Sequence, residues 1–194
     1  MNKQLKLLSL LLSISLLQGC AGGLIVVAGA AVAVTSDERS ISTQIDDDNL
    51  ALAALDKINE LPLNHRNIRI NFIANNGYLL VIGQVNNNQQ KGMIEKQLSG
   101  LKGAKQVYNQ LRLKSDPISF SQQSKDSWIT TKAKSQLTAH DEINSFQIKV
   151  VTEDGELFLI GRVDKKTADT ATNIGRKVSG VKRVNRVFQI IPNK

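Results

Sequence analysis

The chain has 194 residues, 25 Lys/Arg against 17 Asp/Glu, a formal net charge of +8 and a single cysteine. An internal disulfide is therefore excluded, and an apolar share of 41% excludes a disordered, charge-dominated chain. The length admits one or two small domains whose stability must come from apolar burial. The first element is an export signal: Lys3 and Lys6 precede an uninterrupted Leu/Ile/Ser run, Leu7 to Leu17, and a small-residue exit at Gly19. A basic start, a short apolar core and such an exit form a secretory signal peptide, here residues 1–19. The run falls short of the roughly 20 apolar residues that a membrane span needs.

The exit, Leu17-Gln18-Gly19-Cys20, resembles the lipobox of bacterial lipoproteins. That resemblance implies a diacylglycerol thioether on Cys20, cleavage before it, and acylation of the new amino terminus, with palmitate-type chains as the anchor. An uncleaved anchor running on through Leu24 to Val34 is the competing reading, but Gln18 to Gly23 interrupts it with polar and glycine residues. Removal of residues 1–19 takes two cations away and leaves 175 residues, of which 20–45 read as a lipidated tether. Export separates the basic chain from the genome, so nucleic acid is not an expected partner. The polyanions that remain are lipid head groups.

The rest is a duplication. NNGYLLVIGQV (75–85) recurs as EDGELFLIGRV (153–163), and NIRINF (67–72) as SFQIKV (145–150), both offset by 78. Leu50, Ala54 and Ile58 align with Ile129, Ala133 and Leu137 at an offset of 79, and SGLKGAKQVY (99–108) with SGVKRVNRVF (179–188) at 80. In each copy the four-residue stripe predicts a helix. Asp46 to Asp48 and Asp126 are expected at the helix starts, as caps that meet the positive end of the dipole. Alternation at Ile68, Ile70 and Phe72, and at Phe146, Ile148 and Val150, predicts a strand. Asn76-Gly77 and Asp154-Gly155 predict two-residue hairpin turns. A second strand follows (78–85, 156–163) with Gly83 or Gly161 inside it, where a bulge or the close approach of a helix is expected. A second helix (about 89–98, 167–178) stops at Gly100 or Gly180, and a last strand runs over 106–113 or 183–191. Both apolar faces of Leu79 to Ile82 and Leu157 to Ile160 suggest that the copies bury sheet surface against each other.

The order α-β-β-α-β predicts an α+β fold, with two helices on one face of a three-stranded mixed sheet in each copy. This pattern, with the glycine inside strand two and Ser-Gly closing helix two, resembles the BON domain. Two copies behind a lipobox, with TSDERSISTQIDD after the anchor and DSWITTKAKSQL opening copy two, resemble the dual-BON outer-membrane lipoproteins. The expected domains are 46–114 and 124–194, joined by a linker at 115–123. The resemblance implies a lipid-anchored protein of the outer membrane facing the periplasm, with a part in membrane integrity.

Catalytic chemistry is not legible. His65 and His140 have no partners at metal-ligand spacing, no Gly-rich phosphate loop appears, and no G-x-S-x-G turn offers a nucleophile. Neither an enzyme nor a cofactor is expected. Copy one carries nine Lys/Arg against six Asp/Glu, and copy two thirteen against eight together with the only tryptophan. On the first helix of copy two, Trp128 falls in line with Thr131, Lys132 and Ser135, away from the buried stripe. An aromatic, hydroxyl and basic face suits a bilayer interface. Composition leaves a second reading open, in which Trp128 packs at the sheet edge and Phe120 fills the gap between the copies. The family resemblance implies the first, with anionic phospholipid as the partner. The alternative function is a periplasmic interaction module for outer-membrane assembly proteins.

Overall fold

The computed structural model describes residues 25–27, 30–32, 41–64 and 67–192; the signal peptide, Cys20 and His65 lie outside them. The chain divides into two units, Met1–Ser36 and Asp37–Lys194. In the first, β1 (Ile25–Val27) pairs antiparallel with β2 (Ala30–Val32).

The second unit holds both copies. Copy one is α1 (Ile41–Asn59), β3 (Arg69–Asn75), β4 (Tyr78–Val85), α2 (Asn88–Leu98), β5 (Gln106–Asn109) and β6 (Arg112–Leu113). Copy two is α3 (Phe120–Thr138), a 3-10 turn (Ser145–Gln147), β7 (Ile148–Glu153), β8 (Glu156–Asp164), α4 (Lys165–Lys177) and β9 (Arg183–Ile191). In each sheet the hairpin strands pair antiparallel and the last strand joins the central one in parallel. The fold is α+β, as the periodicities predict, with two tandem α-β-β-α-β units. In copy one the last strand is interrupted: Leu111 turns into the core, 1% exposed, and its N–H donates to Asn109 Oδ1 at 3.2 Å. The β6 segment then resumes on β4.

Each copy has its own core. Leu50, Ala54 and Ile58 of α1 pack with Ile94 and Leu98 of α2 over Leu79, Val81 and Val85. Ile129, Ala133 and Leu137 of α3 pack with Ala168 and Ala171 of α4 over Leu157, Leu159 and Val163. The opposite faces of β4 and β8 meet each other: Leu80 and Ile82 lie against Phe158 and Ile160, all at most 2% exposed, with Ile73 and Val151 alongside. The sheets thus form a sandwich with the helices outside.

Around that apolar centre the copies are pinned by charge. Glu153, 6% exposed, accepts from Arg69 Nε at 3.0 Å, Asn71 Nδ2 at 3.1 Å and Gln84 Nε2 at 2.8 Å, all on copy one. Arg112 meets Glu156 in a two-pronged contact at 3.0 and 2.8 Å, and Lys114 pairs with Asp154. Gln84 Oε1 also accepts the N–H of Ile118 at 3.2 Å.

Three expectations need correction. The helices begin at Ile41 and Phe120, so Asp46 to Asp48 and Asp126 are not caps but lie inside them. Asp47 and Asp126 are buried and hold the hairpin turns instead. Asp47 accepts from the N–H groups of Asn76 at 2.8 Å and Gly77 at 2.9 Å, and Asp126 from those of Asp154 at 2.7 Å and Gly155 at 2.8 Å. Both turns have positive φ at two successive residues, 54° and 80°, and 52° and 76°. Such a turn aims two adjacent N–H groups at one point, a ready anion cradle.

Second, Gly83 makes room for backbone of the paired strand and Gly161 for the last residue of the 3-10 turn that leads into β7; neither faces an α-helix. A Cβ at Gly83 would stand 2.0 Å from Arg69 O, and one at Gly161 2.3 Å from Gln147 O. Third, the ladder sets a different register from the sequence match over the last strand. Leu79 pairs with Val107, and its equivalent Leu157 with Val184, an offset of 77 between the valines. Lys105 N donates to Gly77 O as Lys182 N does to Gly155 O. Copy one therefore carries three more residues between its glycine at position 100 and this bond, which is why matching 99–108 with 179–188 is out of register.

Two outcomes are expected. Asp126→Ala leaves one buried and one half-buried N–H group unanswered and lowers stability by about 3 kcal/mol; Asp46→Ala, on the exposed side, changes it by less than about 0.5 kcal/mol. Urea unfolding measures both, and the reverse order returns these aspartates to a capping role. The second outcome concerns Glu156. Burial raises its pKa, but hydrogen bonds from Arg112, Arg183 and Asn185 outweigh that and hold it down, to about 2 from an ordinary 4.5. Its stabilising effect is therefore complete above pH 4.5 and is lost as pH falls toward 2. Glu156→Gln should flatten the thermal midpoint across that window, and a curve parallel to wild type shows that the network adds nothing.

Candidate functional site

The first helix of copy two starts six residues before Asp126, and that decides which side chains it presents. Ser119 is its N-cap, accepting from Gln122 N at 3.2 Å. Ser119-Phe120-Ser121-Gln122 has the form of a capping box, the signal in the sequence that marks this start. The predicted connector is thus partly helix. Ile118, just before the cap, is 8% exposed, and its N–H is held by Gln84 of copy one. Phe120 is 83% exposed and fills no gap.

With about 100° per residue, Ile129, Ala133, Leu137 and Asp126 turn inward. Phe120, Ser124, Ser127, Trp128, Thr131 and Ser135 then occupy the opposite, exposed side. Trp128 is 64% exposed and does not pack at the sheet edge. Lys132, half-buried, places Nζ 5.9 Å from the centre of the indole ring and also donates to Ser179 O at 2.8 Å. The four residues that the sequence aligns (Trp128, Thr131, Lys132, Ser135) are brought together, with Phe120 two turns away along the same side.

Sequence reasoning missed Ser124, Ser127, Lys125 and Lys134. The three hydroxyls toward the start are bonded to their own helix: Ser124 Oγ to Phe120 O at 3.1 Å, Ser127 Oγ to Gln123 O at 3.0 Å and Thr131 Oγ1 to Ser127 O at 3.0 Å. Lys125 and Lys134 are exposed and flank the stripe on either side, with no ion pair among the described residues. The only carboxylate on the helix, Asp126, is buried. The exposed surface of α3 is therefore aromatic, hydroxyl and cationic, with no exposed acid. Its counterpart α1 is the opposite: Leu52 and Leu55 are exposed at 58% and 43%, beside exposed Asp48 and Asp56.

Among the described residues no group of three or more His, Cys, Asp or Glu is placed to hold a metal, and no helix is long and apolar enough to cross a membrane. Nothing in the site arranges a nucleophile with a base.

This architecture is that of the BON domain, whose family model matches residues 46–115 and 125–192, and the chain belongs to that family. It is 38% identical over 188 residues to outer membrane lipoprotein DolP of Haemophilus influenzae, covering 96% of this chain and 97% of that one. It is 36% identical over 155 residues to a 21 kDa hemolysin of Actinobacillus pleuropneumoniae, covering 80% and 79%. CdsD, a structural protein of the type III secretion system of Chlamydia trachomatis, aligns with a TM-score of 0.31 at 17% identity, over 75% of this chain and 94% of that one. The chain is thus a DolP-like dual-BON protein, an outer-membrane lipoprotein.

In the free protein the partly exposed indole should report its setting directly. Tryptophan fluorescence is expected to shift on Lys132→Ala, because the ammonium over the ring is lost; an unchanged spectrum places Lys132 away from Trp128.

Proposed function

We propose that this is a non-catalytic lipoprotein, held by acyl chains on Cys20 at the periplasmic side of the outer membrane, that docks α3 on anionic phospholipid and so supports membrane integrity. The observation that carries the reading is the exposed side of α3: Phe120 and Trp128 uncovered, Lys125, Lys132 and Lys134 around them, and no exposed carboxylate. The aromatic rings suit head-group depth and the ammonium groups suit phosphate. Hydroxyls already bonded to i−4 carbonyls lower the cost of leaving water, since their protons have partners. The acidic helix of copy one would be repelled by the same surface, so the docking belongs to copy two.

The test is flotation of the unanchored chain, residues 21–194, with anionic and zwitterionic vesicles, each variant checked by circular dichroism. Wild type should float with the anionic vesicles alone. Each cation near such a surface contributes about 1 kcal/mol, so Lys132→Ala should weaken binding about fivefold. Trp128→Ala should cost more, because it removes the apolar wedge as well. A folded Trp128→Ala that floats like wild type rules this helix out as the membrane face. For the anchor, Cys20→Ala should stop maturation and empty the outer-membrane fraction; correct maturation and fractionation without the thiol would sink the lipid-anchor reading.

A further inference from the structure

The side of the sandwich where β3 and β7 lie over each other carries a feature that the lipid reading does not use. Among the described residues β3 is an edge strand, paired only with β4. Its closing pair, Asn75 with Tyr78, flanks a two-residue turn and exchanges hydrogen bonds across the hairpin. The alternation then points the N–H and C=O groups of Ala74, Phe72 and Ile70 away from β4. Two contacts agree: Ala74 O accepts from Lys149 Nζ at 2.8 Å, whereas Arg69 O faces Gly83. Among the described residues, no hydrogen bond engages the outward groups of Ile70 and Phe72.

A groove runs beside this edge as two hollows of about 380 and 510 Å³, which share Arg69, Phe72 and Gln123. Its α1 side is apolar, with Leu55, Ile70 and Phe72; its α3 side is polar, with Gln123 and Thr130. Exposed Leu52 and Leu55 extend the apolar side along α1, and Asp48, one turn before Leu52, has no ion-pair partner among the described residues. Strand edges are normally blunted by charged side chains such as Lys, by Pro or by a bulge. The other edges of these two sheets carry such devices or are short: β7 holds Lys149, β9 presents Arg183 and Arg186, and β5 has only four residues. β3 has no Lys or Pro, and the side chain of Arg69, its one cation, is turned to Glu153.

We propose that the β3 edge takes up an extended segment of a partner polypeptide, apolar at alternate positions and carrying Lys or Arg. The unpaired main-chain groups at two-residue spacing fit a strand and not a lipid tail. The apolar side beside them receives every second side chain. Exposed Asp48 and Asp56 favour a cationic segment and repel anionic lipid. The occupant would lie next to α3, which on the lipid reading proposed above brings the partner to the membrane surface. This surface is separate from the lipid-facing side, and either can fail without the other.

The experiment uses the full lipidated chain in nanodiscs and a nine-residue peptide alternating valine and lysine. Its control is the same peptide N-methylated at alternate amides. Amide exchange should slow at least tenfold at Ile70 and Phe72 with the first peptide, while Arg69 and Ile73 stay unchanged, and the control should do nothing. Leu55→Lys and Asp48→Lys, both on the exposed surface, should weaken binding about tenfold with an unaltered circular dichroism spectrum. Equal binding of the methylated peptide, protection along β9 in place of β3, or no effect at millimolar peptide overturns the proposal. So does self-association, seen by sedimentation, that Leu55→Lys abolishes, since the occupant is then a second copy of this chain.

Discussion

The structure turns on how two carboxylates answer two hairpin turns. A two-residue turn with successive positive φ projects adjacent N–H groups out of the ladder, and one carboxylate can accept both. Asp47 and Asp126 do so from the middle of a helix in each copy. Because each aspartate must face inward, the rotation of its helix about its own axis is set. The four-residue apolar stripe then packs on the sheet, and everything half a turn away is left in solvent. Trp128 and Phe120 are exposed for that reason, not because they lack apolar surface to join.

The same turn in copy two is the joint between the copies. Glu153 and Glu156 flank Asp154-Gly155 and reach across to Arg69, Gln84 and Arg112. Such buried or half-buried ion pairs often add little net stability, because desolvation offsets their attraction. The apolar contact between Leu80, Ile82, Phe158 and Ile160 supplies the adhesion, at roughly 1.5–3 kcal/mol for each side chain fully removed from water. The polar groups decide the relative position, since a shifted sandwich would leave Glu153 buried and unanswered. Sheet adhesion and register thus come from different interactions.

Duplication has produced two similar scaffolds with opposite outer helices. Helix α3 offers cations and aromatic rings, and α1 offers carboxylates and leucines. With Asp47 and Asp126 holding both helices in the same orientation, the difference lies wholly in exposed side chains. One scaffold can face an anionic surface while the other does not, without any change of fold.

The sequence by itself determined the duplication, the α-β-β-α-β order, both hairpin turns and the line of Trp128, Thr131, Lys132 and Ser135 away from the buried stripe. All rest on local periodicity or on residues adjacent in the chain. Helix α3 was less legible, although Ser119 and Gln122 carry the signal for its start. Tertiary structure alone decided that Asp47 and Asp126 hold turns about thirty residues away. It also decided that Ile118 is buried while Phe120 is exposed, that Gly83 admits a carbonyl from the neighbouring strand, and that the last strands pair three residues away from the best sequence match. A side chain's partner at long range depends on what the fold brings to its face, and periodicity specifies the face without naming what arrives there.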